Sequence, residues 1–575
     1  MSTSSLCSHL PGDPRLLKAY EDGIDAKSEL PPERLMRLPR QVDQAVWSPT
    51  LPEPQPEPKI LALNTPLAKN LGPPWSTMEE STWAKVVGGQ TVLPDTKPWS
   101  LRYGGHQFGQ WAGQLGDGRA ISLGVWGGND SSEARGMEVQ LKGCGRTPYS
   151  RFGDGYAVVR SSVREFLASE ALATLEIPSS RALAIVQTER TIEREIGEPG
   201  AVVARVAPSW IRFGNFEIHA SRSEWDLLRQ LADYTITHHF PHITPGDYIS
   251  WFEDVMRKSA QTVAGWQSVG FCHGVLNTDN MSILGLTIDY GPYAFLDNYD
   301  PEFICNHSDI EGRYSFENQP KVVLWNLAML GRAISPLLAL QARGEDLDRL
   351  TTLGEKEGWG SLLEEGSKVA AFSLSEYQTM YDEAFTQRMS KKLGISNPAE
   401  GDLHGLIQPL LAILTQAQVD YTRFWRSFSN TSLTNLPGLM NVILSENTYE
   451  TSCAKKEDKE EEEMNEKGKR VLDSTSIISL WEHWCEAYTL RVSQEDGEDQ
   501  RTQIMLQANP KYILRNWVAQ EIIEATEAGD GGKAVREALE VLGTNKAFSD
   551  ESFGLDRWAG PVPEWGQGIQ CSCSS

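Results

Sequence analysis

The chain of 575 residues has few cysteines, and none of the eight stands in a CxxC pair or any zinc-ligating spacing. A zinc-built fold is therefore not expected. Scattered thiols of this kind read as reduced and mostly buried. Long hydrophobic runs are also missing. No stretch approaches the roughly 20 apolar residues that span a bilayer, so no membrane insertion is expected. Positive charge is scarce: 53 Lys and Arg against 78 Asp and Glu give a formal net charge of -25. Such a balance argues against a nucleic-acid or anionic-membrane partner, because phosphate backbones need clustered cations. It leaves room for a small basic pocket. The first residues, MSTSSLCSHLPGDPR, lack the apolar core of a secretory signal and the arginines of a mitochondrial presequence.

What is present is a large globular composition, with 40% hydrophobic residues and 18 Trp. Residues 1 to about 100 read as an irregular, Pro-rich extension, with LPEPQPEPK as extended loop. Residues 101–345 alternate apolar strands, Gly-rich turns and helices. Residues 346–575 read as mostly helical, for example LHGLIQPLLAILTQAQVDYTRFW. The charge run near 452–470 reads as a disordered insertion. No fixed-period repeat occurs.

Five features carry chemistry. Gly116 and Gly118 stand in a turn before the apolar strand AISLGVW, where glycine lets backbone N–H groups approach a phosphate, and Arg119 adds a donor. An ordinary Gly-rich turn is the alternative. Lys142 ends the strand MEVQLK on the face opposite Val139 and Leu141. It is either a solvent-facing lysine or the phosphate-holding lysine of a protein-kinase arrangement. Glu165 follows on a helix with Val159, Val163, Phe166 and Leu167 as its apolar stripe. It is either that lysine's partner or, as Ser162-x-x-Glu165, part of a capping box. Arg205 and Arg212 are either partners of surface carboxylates or a phosphate clamp. His239 and His242 read as packing residues.

The fifth feature is FCHGVLNTDNMSILGLTIDYGPYAFLD. Kinases carry H-R-D-x-x-x-x-N and, after a strand pair, D-F-G. Here His273 and Asn280 keep that spacing, Val275 takes the place of the catalytic aspartate, and Asp289-Tyr290-Gly291 takes the D-F-G place. Asn280 and Asp289 offer the hard oxygens that Mg²⁺ prefers. Asp279, beside Asn280, is free to act as a base; an Asx-rich turn is the alternative.

These blocks, together with RYGGHQFGQWAGQLGDGRA, LKGCGRTPYSRFGDGYAVVRSSVREFLASEAL, ARVAPSWIRFGNFE and NPKYILRN, resemble the selenoprotein O family over nearly the whole chain. The resemblance implies an α+β, protein-kinase-like (pseudokinase) bilobal core with an N-terminal extension and a helical C-terminal region. It implies ATP bound in an orientation flipped relative to kinases, and transfer of AMP to Ser, Thr or Tyr hydroxyls of target proteins. By the same resemblance Gly116, Gly118, Arg119, Lys142, Asp154, Gly155, Glu165, Arg205, Arg212 and Asp289 serve the nucleotide. Asp279 is the proton acceptor, and Asn280 and Asp289 hold Mg²⁺ or Mn²⁺. Animal members end in selenocysteine and two serines; here the end is Cys573-Ser574-Ser575. The resemblance implies a regulatory disulfide between Cys305 and Cys573, with Cys571 as substitute and an unpaired tail as the alternative. It also implies a mitochondrial location, with the cytoplasm as the alternative given this N-terminus. Rival activities for the same residues are γ-phosphate transfer and a non-catalytic nucleotide-binding redox scaffold.

Overall fold

The computed structural model describes residues 6–22, 30–94, 96–127, 136–451, 472–495 and 497–570. Cys571, Cys573 and the charge run at 454–470 lie outside them. The architecture is mixed α and β. Its centre is an antiparallel sheet of β1 (Trp47–Pro49), β2 (Lys59–Leu63), β3 (Trp99–Leu101), β6 (Ala120–Trp126), β7 (Met137–Lys142), β8 (Ala157–Val158), β9 (Arg181–Glu193) and β10 (Gly197–Ala207). The strand order is β1-β3-β6-β7-β10-β9-β2, with β8 pairing β10. Two small hairpins stand apart: β4 (Gly104–Gln107) with β5 (Gln110–Gln114), and β11 (Phe271–Cys272) with β12 (Ala294–Phe295).

Period-two alternation sorts the sheet's two faces. Val139 and Leu141 of β7 and Val202, Ala204 and Val206 of β10 pack into one core. Ala201, Val203 and Ala207 join the other, against Val159, Val163, Phe166 and Leu167 of the Val159–Thr174 helix. Gln140 and Lys142 therefore share the second face with Arg205, and the register sets Arg205 opposite Gln140 and Val203 opposite Lys142. The site grows from this face.

Residues 1–100, read from the sequence as irregular, supply both edge strands of the sheet. β1, which ends in Pro49, and β2, which follows Pro58, are too short to show a strand period. Their order comes from pairing with β3 and β9.

The C-terminal region is helical, as expected. The stretch read as one apolar pattern over 403–425 is broken, however. Gln418 takes φ 45°, and the side chain of Asp420 accepts from the Arg423 N–H to start a new helix, Tyr421–Asn430. A second core forms around Trp425, Phe428, Trp481, Trp484 and Tyr488. Among the described residues no single helix is long and apolar enough to cross a membrane.

Lys392 is 4% exposed in this region, with Nζ 4.6 Å from the centre of the Trp425 ring. Burial pushes its ammonium down to about 7. The unfolded chain then binds a proton that the native state holds less well between about pH 7 and about pH 10. Lys392→Met should therefore raise Tm. The gain should be largest at pH 7 and shrink as the pH rises towards 10, read by calorimetry of both proteins across that range.

Candidate active site

The β5–β6 turn, the end of β7, the 149–156 loop and the segment 275–292 together enclose a cavity of about 710 Å³. Gly116, Gly118 and Arg119 line it, with Asp154 and Gly155 on the loop. Gly116 takes φ 136°, and a Cβ there would come within 2.5 Å of the Tyr149 ring. At Gly155, φ 81°, a Cβ would meet the Gly145 carbonyl carbon at 2.3 Å. Gly116 lets the turn close on the loop, and Gly155 lets the loop close on the backbone that follows β7.

At the cavity's inner wall lies a buried charge network. Lys142 Nζ stands 2.6 Å from Glu165 Oε2 and 3.4 Å from Asp289 Oδ1. Arg205 donates to Glu165 Oε1 at 2.7 Å, to Asp289 Oδ1 at 2.9 Å and to Gln140 across the strand pair. Arg212 donates to Asp289 Oδ2 at 2.6 Å and to the Asp279 carbonyl at 3.0 Å. Burial alone would raise the Glu165 and Asp289 carboxyls, but the facing cations hold both below the usual range, Asp289 well below it. Burial lowers Lys142 despite Glu165. Asp289 adopts φ 57°, which aims its carboxylate into the three cations.

The capping-box reading of Glu165 is excluded. The helix starts at Val159 with Val158 as its N-cap, so Glu165 falls in the second turn. Glu165 and Arg212 do not line the cavity; they stand behind Lys142 and Asp289 and fix them.

Asp279 and Asn280 lie on a short 3-10 turn, Thr278–Asn280. Asp279 Oδ2 accepts from Gln107 Nε2 at 3.2 Å, and Oδ1 is buried without a partner. Gly105 lies against it, a Cβ there coming within 2.8 Å of Oδ1. Burial pushes the Asp279 carboxyl up to about 7, near the value that suits a base at neutral pH. Val275 lines the same cavity and brings no carboxylate. His273 donates from Nε2 to the Ile288 carbonyl, 3.1 Å away, and burial pushes it down to about 4. It ties the two halves of the segment together as a neutral ring.

Asn280 Oδ1 is buried without a hydrogen-bond partner. With the Asp289 carboxylate on the same cavity, it makes a donor set of hard oxygens that fits a divalent cation. Among the described residues no cluster of three or more His, Cys, Asp or Glu that could hold a metal occurs. Two protein oxygens suit Mg²⁺, which takes its remaining ligands from phosphates and water.

Several cavity residues carried no signal in the sequence. Arg194, in the β9–β10 turn, bonds Asp154 at 2.8 Å. Although burial opposes it, that bond holds the Asp154 carboxyl low. Gln107 comes from a separate hairpin. Asp117, 2% exposed between Gly116 and Gly118, accepts from the Leu101 N–H and pins the turn to β3. Cys305 lies outside the cavity. It is 1% exposed, and its thiol points to the Cys272 carbonyl at 3.5 Å.

A family model described as "Protein adenylyltransferase SelO" matches residues 39–542. The chain is 42% identical over 530 residues to a protein nucleotidyltransferase YdiU of Klebsiella pneumoniae (strain 342), covering 91% of this chain and 96% of that one. It is 40% identical over 527 residues to the protein of that description from Enterobacter sp. (strain 638), again covering 91% and 96%.

Proposed function

The chain belongs to the SelO family of protein adenylyltransferases, and from that premise we propose that it transfers AMP from ATP to Ser, Thr or Tyr hydroxyls of protein substrates. The observation that carries this reading is the exchange of roles on one segment. Val275 stands where a kinase has its base, and Asp279, four residues on, brings a carboxylate to the cavity beside Asn280.

The acceptor hydroxyl oxygen attacks the α-phosphorus, and the O–P bond forms as the bond to the bridging oxygen breaks. Asp279 takes the hydroxyl proton, and pyrophosphate leaves with the bond pair. Gly116, Gly118 and Arg119 hold the phosphates at the β5–β6 turn, and Asp154 and Gly155 border the nucleotide. Lys142, fixed by Glu165, and Arg205 meet the departing negative charge. Arg212 keeps Asp289 in place. Asn280 and Asp289 hold Mg²⁺ or Mn²⁺, which when bound supplies further neutralisation of the phosphates. Positioning and charge stabilisation carry most of such a reaction.

The antiparallel sheet, with its Lys142–Glu165 pair, supports a protein-kinase-like core spanning 101–345. A Cys305–Cys573 disulfide belongs to the same reading as a regulatory device. It requires the 300–315 segment to uncover Cys305, and non-reducing peptide mapping of oxidised protein should yield a Cys305-linked tail peptide.

Incubation with ATP and an acceptor protein should release pyrophosphate and add an adenylyl mass to the acceptor. ADP release with a phosphate-sized mass would refute the reading. Gly155→Ala should raise KM for ATP about tenfold or more, a loss of about 1.4 kcal/mol, because its Cβ drives the loop off the Gly145 backbone. The KM for the acceptor should be unchanged, which steady-state kinetics in each substrate checks.

A further inference from the structure

A second cavity of about 330 Å³ lies beside the first, and the β4–β5 hairpin contributes to both. Adjacent strand residues point to opposite faces, and the consecutive residues His106 and Gln107 do so here. Gln107 lines the nucleotide cavity and bonds Asp279, while His106 lines the second cavity. The backbone N–H of His106 donates to Thr278 Oγ1 at 2.7 Å, so the wall of the second cavity is tied to the turn that carries Asp279.

The walls are aromatic and apolar, with Trp111, Trp225, Met329 and Leu363 among them. One buried charge faces this lining. Glu217 is 4% exposed, and His106 Nδ1 lies 2.6 Å from its Oε1. Its Oε2 is buried without a partner. A buried carboxylate oxygen lacking a donor is costly unless something supplies one. An aromatic wall beside a carboxylate is the chemistry that binds an alkylammonium or guanidinium group. Arg332 also lines the cavity but is exposed, so its charge is solvated.

We propose that this second cavity is a specificity pocket that takes a Lys or Arg side chain of the protein substrate, its cation on Glu217 Oε2 and its stem against the Trp rings. The proposal rests on protein adenylylation as the activity, since the hydroxyl acceptor and the basic anchor belong to one polypeptide on either side of β4. The chain's formal charge of -25 suits a basic partner.

The test separates binding from transfer. Saturation-transfer NMR of the full chain with N-acetyl-arginine amide, with N-acetyl-norleucine amide as control, reads the pocket without any turnover. The expected result is saturation of the arginine methylenes, absent for norleucine and undiminished by excess ATP. The signal should fall at least tenfold in Glu217→Gln and in Ser221→Phe, an exposed lining position that leaves the Glu217–His106 pair intact. Equal signal in wild type and both variants, or displacement by ATP, would overturn the proposal. If the wild type also adenylylates an acceptor protein, Ser221→Phe should raise KM for that acceptor and leave KM for ATP unchanged. An acceptor KM that does not move overturns the specificity role. A wild type that binds the arginine amide but transfers no AMP contradicts the activity and, with it, the substrate identity of the occupant.

Discussion

Asp279→Ala should lower AMP transfer by about 10²–10⁴-fold, the range that a positioned general base contributes, with ATP affinity retained. The residue is suited to that loss. The residue is 8% exposed, and its carboxyl lies against Gly105, with Gln107 as the donor to one oxygen. The other oxygen has no partner and is available to a proton. Arg212, which holds Asp289, meets the Asp279 backbone carbonyl at 3.0 Å, and alanine keeps that bond. Asp279→Asn is the stricter variant, since it preserves shape and the Gln107 contact. Calorimetric ATP titration beside a transfer assay separates the two effects. Loss of ATP binding in parallel with transfer would reassign Asp279 to the nucleotide site.

Asp289→Ala should have the broadest effect. One carboxylate faces Lys142, Arg205 and Arg212 at 3.4, 2.9 and 2.6 Å. Removing it leaves three cations against Glu165 and the more distant Asp117, 3.8 Å from Arg212. Breaking a buried pair from one side costs about 3–5 kcal/mol, so denaturant unfolding should show a fall of that order. Transfer should be lost as well, since the charge that fits a divalent cation goes with it. Asp289→Asn keeps the shape and should recover part of the stability but not the activity. A variant as stable as the wild type would mean that the cations repack onto Glu165.

The contrast between these residues explains what could be read from the sequence. Lys142, Glu165, Asn280 and Asp289 were legible because short-range patterns fix them: strand alternation, helical periodicity and the spacing from His273. The choice between ion pair and capping box for Glu165 turned on the helix start, which Val159 in the apolar stripe already marked. The site's other half is built from long-range contacts that leave no local trace. Gln107 reaches Asp279 across 172 residues of chain, and Arg194 reaches Asp154 from a hairpin turn. β1 and β2 were illegible for the same reason, being strands only by virtue of their partners. The glycine turn was ambiguous in isolation. Asp117, bonded to β3, and Thr147, whose hydroxyl donates to the Asp117 carbonyl at 2.7 Å, give it one shape.

The most direct test of the account is a comparison of ATP labelled at the α-phosphate with ATP labelled at the γ-phosphate, using wild type and Asp279→Asn with one acceptor protein and Mg²⁺. The prediction is label on the acceptor from the α-position alone, released by no exchange with the γ-pool, and nearly absent in Asp279→Asn. Label from the γ-position alone would contradict the account, since it would mean that these residues serve phosphate transfer despite Val275.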